Sequence, residues 1–294
     1  MPTMARTVVA TGASSGLGFE AVKQLLQQSR PYEFIIGARD PSTTQAAYDR
    51  VQYDTTAHSI SILPLDLTDL RTVKSFAQQS LERLNKDKLD ILFLNAGMNK
   101  AAIGPGLHGS PWCESYVVNH LSQHYLTHLL REKLSTSHSR VVVVSSGLIR
   151  SIKEDDIIKT KVSAGSGADG FAVYHATKFA QFLGAHWWRR QLGQSATVLA
   201  VSPGLVLGTG LGRHLDFVPN TDHLPDKLTV EQGARNLLRA FDQANFPDDP
   251  EQIFLTSWGE WWPKDAYGPS LDKSLQDWWC PSMEEIEKEA GIAG

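Results

Sequence analysis

Tyr174 and Lys178 are the pair in this chain best suited to moving a proton. Four residues apart in a helix, they lie one above the other on a single face. A free phenol has a pKa of about 10, and an ammonium held beside it favours the phenolate. The tyrosine then becomes usable as proton donor and acceptor near neutrality. Of the seven tyrosines, only Tyr174 has a lysine at this spacing. Such a spacing also arises by chance, so its weight depends on the elements that would position it.

Those elements belong to a chain of 294 residues, 41% hydrophobic and 20% charged, enough to bury a large core as one domain or at most two. The net charge of -4 arises from 28 basic and 32 acidic residues without a block of either sign. That argues against nucleic acid or an anionic membrane and for a small neutral or anionic ligand. Two cysteines, Cys113 and Cys280, cannot build a disulfide framework, and a reducing compartment is the simpler reading. The N-terminus lacks the apolar core of a signal peptide, and no run reaches membrane-spanning length. The expectation is a soluble, cytoplasmic protein.

Apolar strand-like runs at Thr7–Ala10, Glu33–Gly37, Ile60–Leu65, Leu89–Leu94, Val141–Val144, Thr197–Val201 and Ile253–Leu255 are separated by helix-like segments. The clearest of these are Gly18–Gln28, Leu70–Leu84, Glu114–Leu134, Tyr174–Leu192 and Val230–Ala244. Strands apolar on both faces and alternating with helices require a parallel sheet covered on both sides. The expected fold class is α/β, a doubly wound parallel sheet in a single domain over 1–294.

The first strand leads through Thr11-Gly12-Ala13-Ser14-Ser15-Gly16-Leu17-Gly18 into a helix. Glycines here allow a tight turn and close backbone approach, so that a pyrophosphate can sit on the free helix amides; an ordinary Gly/Ser turn is the plainer alternative. The second strand ends in Ala38-Arg39-Asp40. An acid at the tip would hold the ribose 2′-hydroxyl of NAD, an arginine the 2′-phosphate of NADP. Arg39 favours NADP(H), although a register shift to Asp40 would reverse this. The third and fourth strands end in Leu65-Asp66-Leu67 and Asn95-Ala96-Gly97, on the side where open sheets bind ligands, though either could be an Asx turn. Asn119 lies within a helix, where asparagine is mildly unfavourable. His120, His124 and His128 follow at four-residue intervals without a supporting cysteine or carboxylate, so no metal is expected. The fifth strand ends in Ser145-Ser146-Gly147 and the sixth in Ser202-Pro203-Gly204.

In this order, TGASSGLG, NAG, Asn119, SS, YHATK and PG, the chain resembles the short-chain dehydrogenase/reductase family from the glycine loop to Pro203-Gly204. The wording of the first motif, Ala-Arg-Asp after the second strand and Asn-His-Leu at 119–121 look nearest to the branch of retinol dehydrogenases and protochlorophyllide reductases. The resemblance implies a Rossmann fold and a tetrad of Asn119, Ser146, Tyr174 and Lys178. Tyr174 would protonate a substrate carbonyl and Ser146 polarise it. Lys178 would bind the nicotinamide ribose and lower the tyrosine's pKa, and Asn119 would hold a water linking the lysine to solvent. The glycine loop would hold the pyrophosphate, Asp66 with Leu67 the adenine, and Asn95, Ala96 and Gly97 the adenosine ribose. Pro203, Gly204 and Thr209 would border the nicotinamide. Thr209 stands one place later than the family's amide-binding threonine, where this chain has Gly208.

The 28-residue step from Ser146 to Tyr174 is longer than the family's common form and marks 147–173 as an inserted, lid-like loop or a surface excursion, with a short charged helix at Lys153–Asp156. Residues 205–228 match the stretch that closes over substrate in the family. The extension 256–294 holds five of eight tryptophans, to wall an apolar pocket, bury a subunit contact or pack on the sheet edge. The resulting expectation is an NADPH-dependent, reversible reductase of a fairly apolar ketone or aldehyde, within specialised (secondary) metabolism. A non-redox isomerase or cyclase and an NADP-sensing protein are the rivals. Family members pair through the helices at Glu114–Leu134 and Tyr174–Leu192, which suggests a homodimer or homotetramer.

Overall fold

Alternate residues of the central strands face two separate hydrophobic clusters, and this fixes the layers. Val9, Leu92, Val141 and Val143 pack on one side; Val8, Ala10, Phe93 and Val142 pack on the other. The computed structural model describes residues 4–152, 156–213 and 227–292. Its main sheet is parallel throughout, in the order β3 (Ser59–Pro64), β2 (Tyr32–Ala38), β1 (Arg6–Thr11), β4 (Ile91–Leu94), β5 (Arg140–Val144), β6 (Thr197–Val201), β9 (Phe254–Leu255). Two short strands, β7 (Leu205–Val206) and β8 (Lys227–Leu228), pair beside it. The winding reverses between β1 and β4, and there the carboxyl tips of the strands open a crevice. The doubly wound α/β fold in a single domain is therefore present, with all seven expected strands.

The helices are α1 (Gly16–Leu26), α2 (Pro41–Tyr48), α3 (Leu70–Leu84), α4 (Glu114–Tyr116), α5 (Ser122–Leu129), α6 (Arg131–Ser137), α7 (Asp156–Val162), α8 (Gly170–Leu192), α9 (Val230–Asp242), α10 (Lys273–Trp279) and α11 (Met283–Ala290). Three depart from the pattern in the sequence. The run Glu114–Leu134 is not one helix: a π-helical turn at Val117–Leu121 joins α4 to α5, and Leu130 breaks the chain before α6. Helix α8 begins at Gly170 because Asp169 accepts from Ala172 N and caps it there. Helix α2 has no apolar stripe, burying only Thr44 and Tyr48; its signal is Asp40 at the N-cap with Pro41 after it.

Among the described residues of 147–173, Ile149, Ile158 and Val162 enter the core. Backbone bonds tie this stretch to the connection between β4 and α4, with Gly165 N donating to Gly104 O (2.8 Å) and Cys113 N to Val162 O (2.7 Å). Of the charged helix expected at Lys153–Asp156, residues 153–155 lie outside the described residues. So do 214–226 of the stretch 205–228.

The C-terminal tryptophans divide. Trp262 stacks on Phe254 of the edge strand at 4.5 Å, and Trp279 packs against Tyr116 at 5.7 Å, whereas Trp258 and Trp278 stand 59% and 69% exposed. Helix α10 packs on α8, and α11 on α5.

The histidine stripe makes this seam. His120 Nε2 lies 2.7 Å from Trp279 O, His124 Nε2 lies 3.0 Å from Pro281 O, and Trp188 Nε1 donates to His124 Nδ1 at 2.9 Å. Burial holds His120 and His128 down to about 4 and His124 well below its ordinary value. A histidine lowered on folding is protonated first in the unfolded chain. Its contribution is complete above pH 6.5 and is lost as pH falls toward 4, by about 1.4 kcal/mol per pH unit for each such group. Thermal unfolding followed from pH 7.5 to 4.5 should therefore show a steep loss of Tm below about 6.5; a flat profile would contradict this account of the seam.

Candidate active site

The crevice at the reversal point holds a cavity of about 280 Å³ lined from the tips of β1 to β6. Its floor is the glycine loop. Gly12 and Gly16 have φ of +65° and +57°, a region open to glycine. A Cβ on Gly12 would stand 2.5 Å from Ala96 Cα, and one on Gly18 would collide with Gly12 O and Asn95 Nδ2. Ser14, Ser15 and Leu17 line the cavity with them. Gly18 does not, since its role is to let α1 pack against the loop.

Two supports of this loop escaped the sequence reading. Tyr48 of α2, fully buried, donates from its hydroxyl to Ala13 O at 2.7 Å. Thr11 Oγ1 donates to Gln123 Oε1 (3.1 Å) and accepts from the backbone of Asn95 and Ala96. Gln123 in turn donates to the carbonyls of Ala96, Val118 and Asn119, the last two within the π-helical turn. Nothing in local periodicity marks these residues, because their partners are distant in the chain.

The tip of β2 separates Arg39 from Asp40. Arg39 is exposed on the cavity rim, and Ala38 lines the wall. Asp40 is the N-cap of α2: its carboxylate accepts from Thr43 Oγ1 (2.6 Å), Thr43 N (2.9 Å) and Ser42 Oγ (2.7 Å). The Thr43 hydroxyl bond, foremost, pulls its pKa down to about 2. Asp66 lines the cavity beside Leu67 and also forms an Asx turn, accepting from Thr68 N at 3.0 Å. Asn95 Nδ2 donates to Gly12 O at 2.8 Å, tying β4 to the glycine loop, and Ala96 and Gly97 continue the wall.

Lys178 and Tyr174 face the cavity from α8. Lys178 is 3% exposed, and its Nζ donates to Val144 O (2.8 Å) and Gln181 Oε1 (2.9 Å). Burial pushes Tyr174 up to about 12, against a hydrogen bond with Ser146 that lowers it, and pushes Lys178 down to about 7. The tyrosine is thus raised rather than lowered, because desolvation outweighs the Ser146 hydrogen bond. Ser146 Oγ also accepts from Leu148 N, while it is Ser145 that lines the cavity, its buried hydroxyl without a partner among the described residues. Asn119 is fully buried in the π-helical turn, where its side chain accepts from Met98 N (2.8 Å) and donates to Met98 O and Thr177 Oγ1 (both 2.9 Å).

Pro203 and Thr209 close the far end of the cavity. Gly204, with φ of +90°, is not part of the lining, and a Cβ there would collide with Leu228. Met98, Glu114, Val118, Leu211 and Arg213 also line the cavity, and no tail tryptophan does.

A glycine turn of this form beside a half-buried tyrosine and a buried lysine, at the carboxyl ends of one doubly wound sheet, defines a dinucleotide-dependent oxidoreductase. The chain belongs to the short chain dehydrogenase family, whose model matches residues 6–216. It is 78% identical over 287 residues to a short-chain dehydrogenase/reductase of Pestalotiopsis microspora, covering 97% of this chain and 99% of that protein. It is 33% identical over 240 residues to retinol dehydrogenase 12 of Homo sapiens, covering 79% of this chain and 72% of that one. Among solved structures, the NADPH-bound carbonyl reductase from chicken fatty liver superposes with a TM-score of 0.64 at 22% identity, over 88% of this chain and 98% of that one. The protein is an oxidoreductase acting on CH–OH or C=O groups with a nicotinamide cofactor. No described helix is long and apolar enough to cross a membrane.

Proposed function

We propose that this enzyme is an NADPH-dependent reductase of a fairly apolar ketone or aldehyde, reversible as an alcohol dehydrogenase. The observation that carries the reading is the convergence of Tyr174 and Lys178 on the same cavity as the glycine loop and Arg39. The residues fit the cofactor: positive-φ glycines leave room for a pyrophosphate, and Ser145 offers an unspent buried hydroxyl. Bound NADPH would supply the two electrons as hydride. Tyr174, a phenol throughout the neutral range, donates the proton to the carbonyl oxygen; Ser146 orients that oxygen; Lys178 offers its remaining N–H to the nicotinamide ribose. Asn119 positions the wall through Met98.

An apolar substrate is supported by exposed side chains next to the chemistry. Leu148 follows Ser146 by two residues, Phe171 precedes Tyr174 by one helical turn, and Leu205 follows Gly204; they are 38%, 57% and 39% exposed. Preference for NADPH is supported by Arg39 on the rim and by Asp40 being committed to its helix cap. The structural relative from chicken liver carries NADPH, which agrees.

The test is a titration with NADPH and NADH, following energy transfer from tryptophan to nicotinamide. The wild type should select NADPH. Arg39→Ala should weaken NADPH by roughly 10- to 100-fold, the worth of a charge-assisted phosphate contact, and leave NADH nearly unchanged. Equal loss of both nucleotides would remove Arg39 from phosphate recognition, and failure of either to bind would remove the proposal.

A further inference from the structure

As an ammonium, Lys178 can only donate, and this orients its neighbour. Gln181, three residues on and 4% exposed, must turn its amide oxygen to Nζ, which it meets at 2.9 Å. Its Nε2 is thereby directed into the interior, where it has no partner among the described residues. An orphaned buried amide destabilises a fold, and an unbranched apolar side chain of similar length would avoid that cost. Packing alone therefore gives no reason for glutamine at this position.

We propose that Gln181 is a positioning residue that sets the direction and the charge state of Lys178, an inference that rests on the reading of this site given above. An ammonium has three N–H donors. Val144 O takes one and Gln181 Oε1 another, so the third is left for the cavity that Lys178 lines. A neutral acceptor holds the lysine without neutralising it. A carboxylate there would bind the proton tightly, and an apolar chain would leave a second buried N–H without an acceptor.

Among the described residues, Val144 O and Gln181 Oε1 are the acceptors bonded to Lys178 Nζ. Tyr174 of its own helix has its ring centre 5.9 Å from Nζ, and β5 contributes only the carbonyl of Val144. From the segment after β4, Gly97 has both Lys178 Nζ and Asn119 Oδ1 beside it, and Asn119 is already occupied with Met98 and Thr177. Burial is the sole cause that lowers Lys178, with no charged side chain acting on it.

Two substitutions in the full chain test this, Gln181→Met and Gln181→Glu. The primary readout needs no turnover: the titration of Lys178 followed by NMR on protein carrying Nζ-labelled lysine. Gln181→Met should move the lysine's midpoint down, and Gln181→Glu should move it up. In NADPH-dependent carbonyl reduction, Gln181→Met should lower kcat by roughly tenfold or more, with Tm unchanged or raised and the pH dependence of kcat displaced. A role confined to packing would move Tm and leave the titration alone. If Lys178 titrates alike in the wild type and both folded variants, the proposal is overturned. If the wild type shows no NADPH-dependent turnover, the catalytic reading fails, and the titration still decides whether Gln181 governs the lysine.

Discussion

Tyr174→Phe is expected to lower carbonyl reduction by about 10²- to 10⁴-fold while leaving nucleotide binding intact, the range for removing a positioned acid. The hydroxyl is the only group lost, and the ring still fills the same place on α8. Lys178, the neighbouring titratable group on α8, is anchored to Val144 O and Gln181 Oε1. The sign of the pH dependence follows from burial. With Tyr174 pushed up to about 12, the proton-bearing form persists through neutrality, so reduction should hold its rate on the acid side. Alcohol oxidation needs the phenolate and should rise steadily toward alkaline pH. A Tyr174→Phe enzyme with wild-type turnover, or oxidation that peaks in acid, would be incompatible with this assignment.

Gly12→Val is expected to abolish cofactor binding and to lower Tm together. The valine would have to adopt φ of +65°, a genuine outlier for a β-branched residue. Its Cβ would stand 2.5 Å from Ala96 Cα and 2.9 Å from Asn95 Nδ2, against a backbone that cannot yield without moving β4. The bond from Asn95 to Gly12 O would go with it. Gly165→Ala makes the control: φ there is also positive, +68°, but a Cβ would meet nothing, so a small stability cost without loss of nucleotide affinity is expected. Nucleotide titration and thermal unfolding on both variants check this; Gly12→Val binding NADPH normally would mean the loop is not the nucleotide's seat.

Much of this architecture is legible along the chain because its causes are local or periodic. Strands buried on both faces read as unbroken apolar runs, and α3 shows its stripe, so its bounds in the structure are those its sequence suggests. The glycine turn declares itself through residues that alone tolerate its geometry. Helix α2 stayed hidden because a cap and a proline start it, with too little apolar surface to mark it.

The tyrosine–lysine pair, the glycine turn and the order of the strand-end motifs come from residue type and spacing, which are properties of the linear chain. Distance and dielectric are not. That Asp40 caps a helix while Arg39 stands on the cavity rim depended on where the chain turns into α2. The histidines at 120, 124 and 128 look alike as metal ligands or as a stripe until the carbonyls of Trp279 and Pro281 come to meet them. The same holds for the protonation of Tyr174 and Lys178, for which the sequence offered only mutual attraction. Burial raises the tyrosine and lowers the lysine, and the enclosure that desolvates them exists only once the chain has folded.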